Sequence, residues 1–187
     1  GQKDRWLNFL EQSQTIYKKL ELNDRLGNSY GSMGNAYKSD GNYNDSISYY
    51  DKAKAIFLSE NMLFNYAQTL IVQSESYMDL GDYKKAQINL DDALDIVKDT
   101  KQPVMNGRIH LALAQIYLEK EELDEALDAL DESLDAFLEI NNKMRISEVL
   151  IQMGSVYLQK NNLTKAEKFY KRSEILVRKL NDKKLNV

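Results

Sequence analysis

Tyr37, Tyr77, Tyr117 and Tyr157 stand 40 residues apart, and Ser46, Ala86, Ala126 and Ala166 keep the same phase. The stretch "GNAYKSDGNY" at 34–43 returns as "SESYMDLGDY" at 74–83, "AQIYLEKEEL" at 114–123 and "GSVYLQKNNL" at 154–163. A fixed period between about 20 and 50 residues marks a chain built of stacked identical units, in which each unit hides its apolar side against its neighbour. That rhythm constrains this chain more than its length or composition.

One unit shows what is being stacked. Leu26, Tyr30, Met33, Gly34 and Tyr37 follow each other at helical spacing, and Gly41 then breaks the helix. Asn42 is expected to cap the next helix through its side chain, with Asp82, Glu122 and Asn162 in the equivalent places. Tyr43, Ser46, Ile47, Tyr50, Ala53, Ile56 and Phe57 form the second stripe. Each unit therefore reads as helix, tight turn, helix, with neighbours antiparallel. Gly34 costs its helix about 1 kcal/mol against alanine. Its equivalents Ser74, Ala114 and Gly154 are also small. They predict a close helix–helix approach opposite the small Ser46 set, with the phased tyrosines filling the space beside it. A phosphate loop is excluded, because "GNSYGSMG" at 27–34 lacks the lysine that such loops require.

The expected fold is all-α: about nine helices in a single array over residues 1–187. Residues 1–22 hold the second helix of a preceding repeat. Full repeats follow at 23–60, 61–101, 102–141 and 142–181, then a linker at 182–187. The first residue is Gly1 rather than methionine, and neither end shows a polar cap, so a segment of a longer array is expected.

The pattern carried by Tyr30, Met33, Gly34, Tyr37, Gly41, Tyr43, Ser46, Tyr50 and Ala53, and by its three echoes, resembles the tetratricopeptide repeat. The usual unit is about 34 residues; here it is 40. It is similar to the longer class found in kinesin light chains, GoLoco-binding polarity adaptors and the sensor regions of bacterial signalling proteins. The resemblance implies a right-handed superhelix whose first helices line a concave groove. The usual proline after the second helix is missing, and Pro103 instead opens a first helix.

Catalytic chemistry finds little support. The chain has no cysteine and one histidine, His110, which occupies the packing position held by Tyr30, Leu70 and Leu150 elsewhere. No catalytic, metal or cofactor residues are expected, and the protein is not expected to be an enzyme. The dense acids at 119–139 read as a solvated helix face. The C-terminal repeat is basic, and the acidic repeat beside it would repel phosphate, so no nucleic acid is expected. A net charge of −4 points the same way. No apolar run approaches a membrane span. The expected compartment is the cytoplasm, with the periplasm left open as the alternative.

The resemblance places a peptide groove on the first helices. Its expected lining is Asn28, Asn35 and Lys38; Gln68, Ile71, Glu75 and Met78; Arg108, Leu111, Gln115 and Leu118; Glu148, Ile151, Ser155 and Leu158. Ile71, Leu111 and Ile151 form one apolar row, and Met78, Leu118 and Leu158 another. The expected ligand is a peptide or partner-protein segment with apolar anchors. Two alternatives stay open. The long helices can bury these rows themselves, or the groove or an open end can pack on a second copy. Binding of a chaperone's carboxylate tail is excluded, because Gly31, Ser32, Val72 and Ala112 do not supply the required clamp.

Overall fold

The computed structural model describes residues 2–98 and 100–185, and side-chain surroundings for 5–98 and 100–178. Gly1 and the last two residues of the expected linker lie outside the described residues. Among the described residues there are nine helices and no strand. They fall into two compact units, Gly1–Asp99 and Thr100–Val187.

The first unit contains α1 (Gln2–Lys19), α2 (Asn23–Ser39), α3 (Tyr43–Ser59), α4 (Leu63–Asp79) and α5 (Tyr83–Val97). Each of these helices packs on the next in chain order. The second unit contains α6 (Pro103–Glu119), α7 (Leu123–Glu139), α8 (Lys143–Gln159) and α9 (Leu163–Leu185), packed in the same manner. α9 runs on through Leu185, across residues assigned above to a linker.

The turns explain the rhythm. Glu21, Gly41, Asn61, Gly81, Glu121, Asn141 and Asn161 all take a positive φ, between 51° and 75°. They lie on a 20-residue step, with one step missing where the two units divide. At each of these turns a residue in the left-handed region ends one helix and the next starts two residues later. Gly41 N–H donates to Lys38 O at 2.9 Å, and Asn42 N–H donates to Tyr37 O at 2.9 Å. This pair of bonds closes a helix on itself after a left-handed residue. The carbonyls of Tyr77, Tyr117 and Tyr157 accept the same long bond from Asp82, Glu122 and Asn162. The phased tyrosine is thus the residue from which each first helix is closed.

Capping by the residue after the turn is uneven. Asp82, Asn142 and Asn162 accept from the backbone N–H three residues on, at 3.2, 3.2 and 3.1 Å. Asn42 stands at the N-cap of α3 without that side-chain bond, contrary to the expectation.

The close approach at Gly34 is real but its partner differs from the one expected. A Cβ at Gly34 would lie 2.5 Å from the Tyr50 ring, and one at Gly154 would lie 2.7 Å from the Tyr170 ring. Gly27 and Gly107 meet the Phe57 and Phe137 rings in the same way, at 2.6 and 2.8 Å. Where the second helix carries a smaller side chain, the first helix carries a larger one: Ser74 with Leu90, Ala114 with Leu130, Ala67 with Val97. The core is filled by trading volume across each hairpin, as close packing requires. Tyr37 and Tyr157 lie half-buried beside this contact, stacked on Tyr49 and Phe169 at 5.2 and 5.3 Å between ring centroids.

Candidate binding cleft

In the first unit, α2 and α4 each present a polar stripe. Asn28, Gly31, Ser32 and Asn35 recur at one helical face of α2, and Asn65, Gln68, Thr69 and Val72 at one face of α4. The stripes enclose a cleft of about 260 Å³, floored by Tyr50 and Phe57 of α3. Three expected groove residues, Asn28, Asn35 and Gln68, come together here.

Tyr50 organises the floor. Its ring fills the space left by Gly34, and its hydroxyl donates to Asn35 Oδ1 at 2.6 Å. Burial pushes the Tyr50 pKa up to about 12, the Glu75 charge adds to the rise, and the Ser46 hydroxyl opposes it. The phenol therefore keeps its proton and acts as donor. That fixes Asn35 Oδ1 as acceptor and leaves the Asn35 amide nitrogen to donate. Beyond the cleft, Lys38 of α2 is ion-paired with Glu75 of α4, two further expected groove residues that hold each other.

Two expected contacts are withdrawn. Ile71 is 1% exposed and Leu111 is 7% exposed, so neither offers an apolar anchor to a ligand. Position in the repeat does not decide this by itself: Gly31, at the same phase, lines the cleft, and Ile151, also at that phase, is exposed. Ile71 and Leu111 are instead covered by neighbouring side chains. The other row is half-buried at Met78 and Leu118 and exposed at Leu158.

In the second unit Ile151 and Leu158 are exposed at 46% and 52%. Gln115 is exposed and Arg108 half-buried. Glu148 is paired with Arg145 at 2.8 Å. Ser155 Oγ donates to Ile151 O at 3.1 Å and lies 3.1 Å from the Tyr170 hydroxyl, the counterpart of the Tyr50–Asn35 bond.

Sequence reasoning missed Ser32, Asn65, Thr69, Val72, Tyr50 and Phe57 as cleft residues. The signal was present: two polar sets at spacings of three, four and seven on consecutive first helices. A search for apolar rows passed over them. His110 is half-buried in α6, as its packing position implied. Burial lowers its pKa, and the Glu132 carboxylate partly opposes this. The acids of α7, Asp124, Glu125, Asp128, Asp131, Glu132, Asp135 and Glu139, are all exposed. Asp131 is raised in pKa by partial burial and then by its acidic neighbours Asp135, Asp128 and Glu132. No helix among the described residues is long and apolar enough to cross a membrane.

Helical hairpins repeated at a fixed step, closed by left-handed turns, with first helices lining a cleft, define a helical-repeat interaction fold. The particular family is shown by two models described as tetratricopeptide repeat, one matching residues 25–99 and 106–176 and the other 71–137. The chain belongs to the tetratricopeptide repeat family.

Solved structures agree on the fold. BtubC (BKLC) from P. vanneervenii is 17% identical with a TM-score of 0.88, covering 97% of this chain and 75% of that one. Apo RapI is 16% identical with a TM-score of 0.82, covering 92% of this chain and 48% of that one, so this chain spans about half of RapI. A putative kinesin light chain repeat protein of Podospora anserina is 16% identical with a TM-score of 0.76, covering 97% and 90%. A search of curated proteins returned no match.

Proposed function

We propose that this chain is a non-catalytic interaction scaffold that holds an extended peptide segment of a partner protein in the α2–α4 cleft. One observation carries the reading. Asn28, Asn35, Asn65 and Gln68 line a single cleft whose floor is a buried tyrosine that donates to Asn35. Neutral amides on two parallel stripes can donate to and accept from a peptide main chain without demanding a charge. Beside the cleft Lys38 and Glu75 are ion-paired, which offsets the charge of each. Within the first unit the apolar anchoring expected of the ligand now rests on Met78, because Ile71 is buried. Within the cleft itself, main-chain hydrogen bonding takes the larger share.

The test is selection of peptides from a random library on this protein, followed by rebinding to an Asn28→Ala, Gln68→Ala double variant. Both side chains are exposed, so the fold should tolerate their loss. Two lost hydrogen bonds of about 0.5–1.5 kcal/mol each predict binding weaker by about thirtyfold, and by no less than about fivefold. Selected peptides that bind parent and double variant alike would remove the cleft from the reading. Light scattering across a concentration range, run alongside, separates peptide capture from packing of one copy on another.

A further inference from the structure

α1 breaks the repeat rule at one position. In α3, α5, α7 and α9 the place in phase with residue 46 holds Ser46, Ala86, Ala126 or Ala166, each buried. In α3 that small residue lets the next first helix come close, and Ser46 Oγ lies 3.0 Å from Ser76 Oγ. The equivalent pair in α1 and α2 is Trp6 and Ala36. An indole stands where the pattern calls for a methyl or hydroxymethyl group, and it is 51% exposed. Beside it is a cavity of about 390 Å³ lined by Trp6, Ser32, Asn35, Ala36, Ser39 and Asp40. The cavity shares Ser32 and Asn35 with the α2–α4 cleft.

The polar lining has a sign. Ser32 Oγ donates to Asn28 O at 3.0 Å, and Ser39 Oγ donates to Asn35 O at 2.8 Å. With each proton spent on the helix, both hydroxyls present only lone pairs to the cavity. Asn35 Oδ1 is already taken by the Tyr50 hydroxyl. Asp40 adds a formal negative charge, and its carboxylate has capacity for further bonds beside the contacts it already makes. Ala36, Ser39 and Asp40 form the last turn and C-cap of α2, where the helix dipole is negative. The neutral donors are the Asn35 amide nitrogen and the Trp6 indole N–H. An aromatic face, two acceptor-only hydroxyls, a carboxylate and a helix C-terminus together favour a flat cation rich in donors.

We propose that this cavity is a subsite for an arginine side chain of the bound peptide, its guanidinium stacked on Trp6 and hydrogen-bonded to Ser32, Ser39 and Asp40. The proposal rests on the cleft reading for the rest of the peptide, and the shared Ser32 and Asn35 join the two.

Trp6 is the sole tryptophan of the chain, so its fluorescence reports on this cavity alone. The probes are the capped tripeptides Ala-Arg-Ala, Ala-citrulline-Ala and Ala-Phe-Ala. The arginine tripeptide should change the emission saturably, and the neutral isostere citrulline should bind at least about tenfold more weakly. Asp40→Asn should weaken the arginine tripeptide by a similar factor, and Ala36→Leu, which fills the cavity, should abolish the response. Equal responses to all three probes, a response that survives Ala36→Leu, or no response to arginine would each overturn the subsite. The Asn28→Ala, Gln68→Ala variant keeps the two readings apart. It should leave the tripeptide response intact while weakening the library peptides. Library peptides that bind without arginine preference leave the cleft standing and remove the subsite. A tripeptide response with no library binder does the reverse.

Discussion

Gly31 and Gly34 lie one turn apart on α2, and the structure assigns them opposite responses to the same substitution. A Cβ at Gly31 meets nothing within 4 Å, whereas one at Gly34 would lie 2.5, 2.6 and 2.9 Å from three carbons of the Tyr50 ring. Ordinary carbon–carbon contact is about 3.5–4.0 Å, so the ring would have to retreat by about 1 Å. It is poorly placed to do so, being fully buried with its hydroxyl tied to Asn35. Overpacking of this kind costs about 1–3 kcal/mol, and overlap with three ring atoms at once puts Gly34→Ala near the top of that range. Relief of the glycine penalty offsets about 1 kcal/mol. The net expectation is destabilisation by about 2 kcal/mol for Gly34→Ala and stabilisation by up to about 1 kcal/mol for Gly31→Ala.

Urea unfolding reads both effects. With a slope of about 2 kcal/mol per molar, the two midpoints should separate by more than about 1 M. The decisive arm is the cycle with Tyr50→Leu, which recreates the Ala114–Leu130 pair of the third repeat within the first. Tyr50→Leu alone is destabilising, since it empties part of the floor and releases Asn35. In that background Gly34→Ala should become neutral or stabilising, giving a coupling of about 2–3 kcal/mol between the two sites. Two results would show that volume trading across the hairpin is not what places glycine there. One is a Gly34→Ala midpoint raised as much as that of Gly31→Ala. The other is an effect of Gly34→Ala that is the same in the parent and in the Tyr50→Leu background.

Two further outcomes follow from the turns and from His110. Glu121 takes a φ of 59°, where Gly41 and Gly81 sit at the equivalent positions of the first two repeats. A side chain in the left-handed region costs about 1–2 kcal/mol, so Glu121→Gly should stabilise the second unit by about 1 kcal/mol in urea unfolding; a lower midpoint would contradict the assignment. His110 has a folded pKa below its ordinary value because it is partly buried. Its neutral form favours folding, so that contribution is fully present above the unfolded pKa of about 6.5 and is lost as pH falls through the folded value. His110→Leu, which copies Leu70 and Leu150, should therefore gain stability over the parent progressively as pH is lowered from about 7 towards about 5. Parallel stability–pH curves for the two proteins would show that the histidine does not titrate against folding.

The repeat was legible because it is written in residues that must be small or must turn. The 40-residue phase of the tyrosines and of the Ser46 set predicts helices, turns and hairpins, and the left-handed residues at 41, 81, 121 and 161 fall at the breaks in that pattern. Leu10 of α1 is buried like Tyr50, the residue 40 positions on. What stayed hidden were relations between residues on different helices. That Gly34 answers Tyr50 rather than Ser46 depends on side-chain length across a hairpin, which a one-dimensional phase does not encode. The cleft was half legible: Asn28, Asn35 and Gln68 follow from a family position, while Asn65, Thr69 and Val72 needed the second stripe to be recognised as a face. Ile71 shows why apolar spacing alone misleads. Ile71 and Ile151 share one phase of the repeat, yet the first is buried and the second exposed, and hydrophobicity is the same for both. Polar residues do not settle the matter either: Gln73, Ser74 and Ser76 of α4 are fully buried, and Gln73 is satisfied there by Asp51 and Asn89. A stripe marks an open face only where its members share one side of the helix, as Asn28, Gly31, Ser32 and Asn35 do. Trp6 is informative in another way: among second-helix residues at its phase it alone is too large for the contact its neighbours make, so the cavity beside it is written in the sequence as a departure from the repeat.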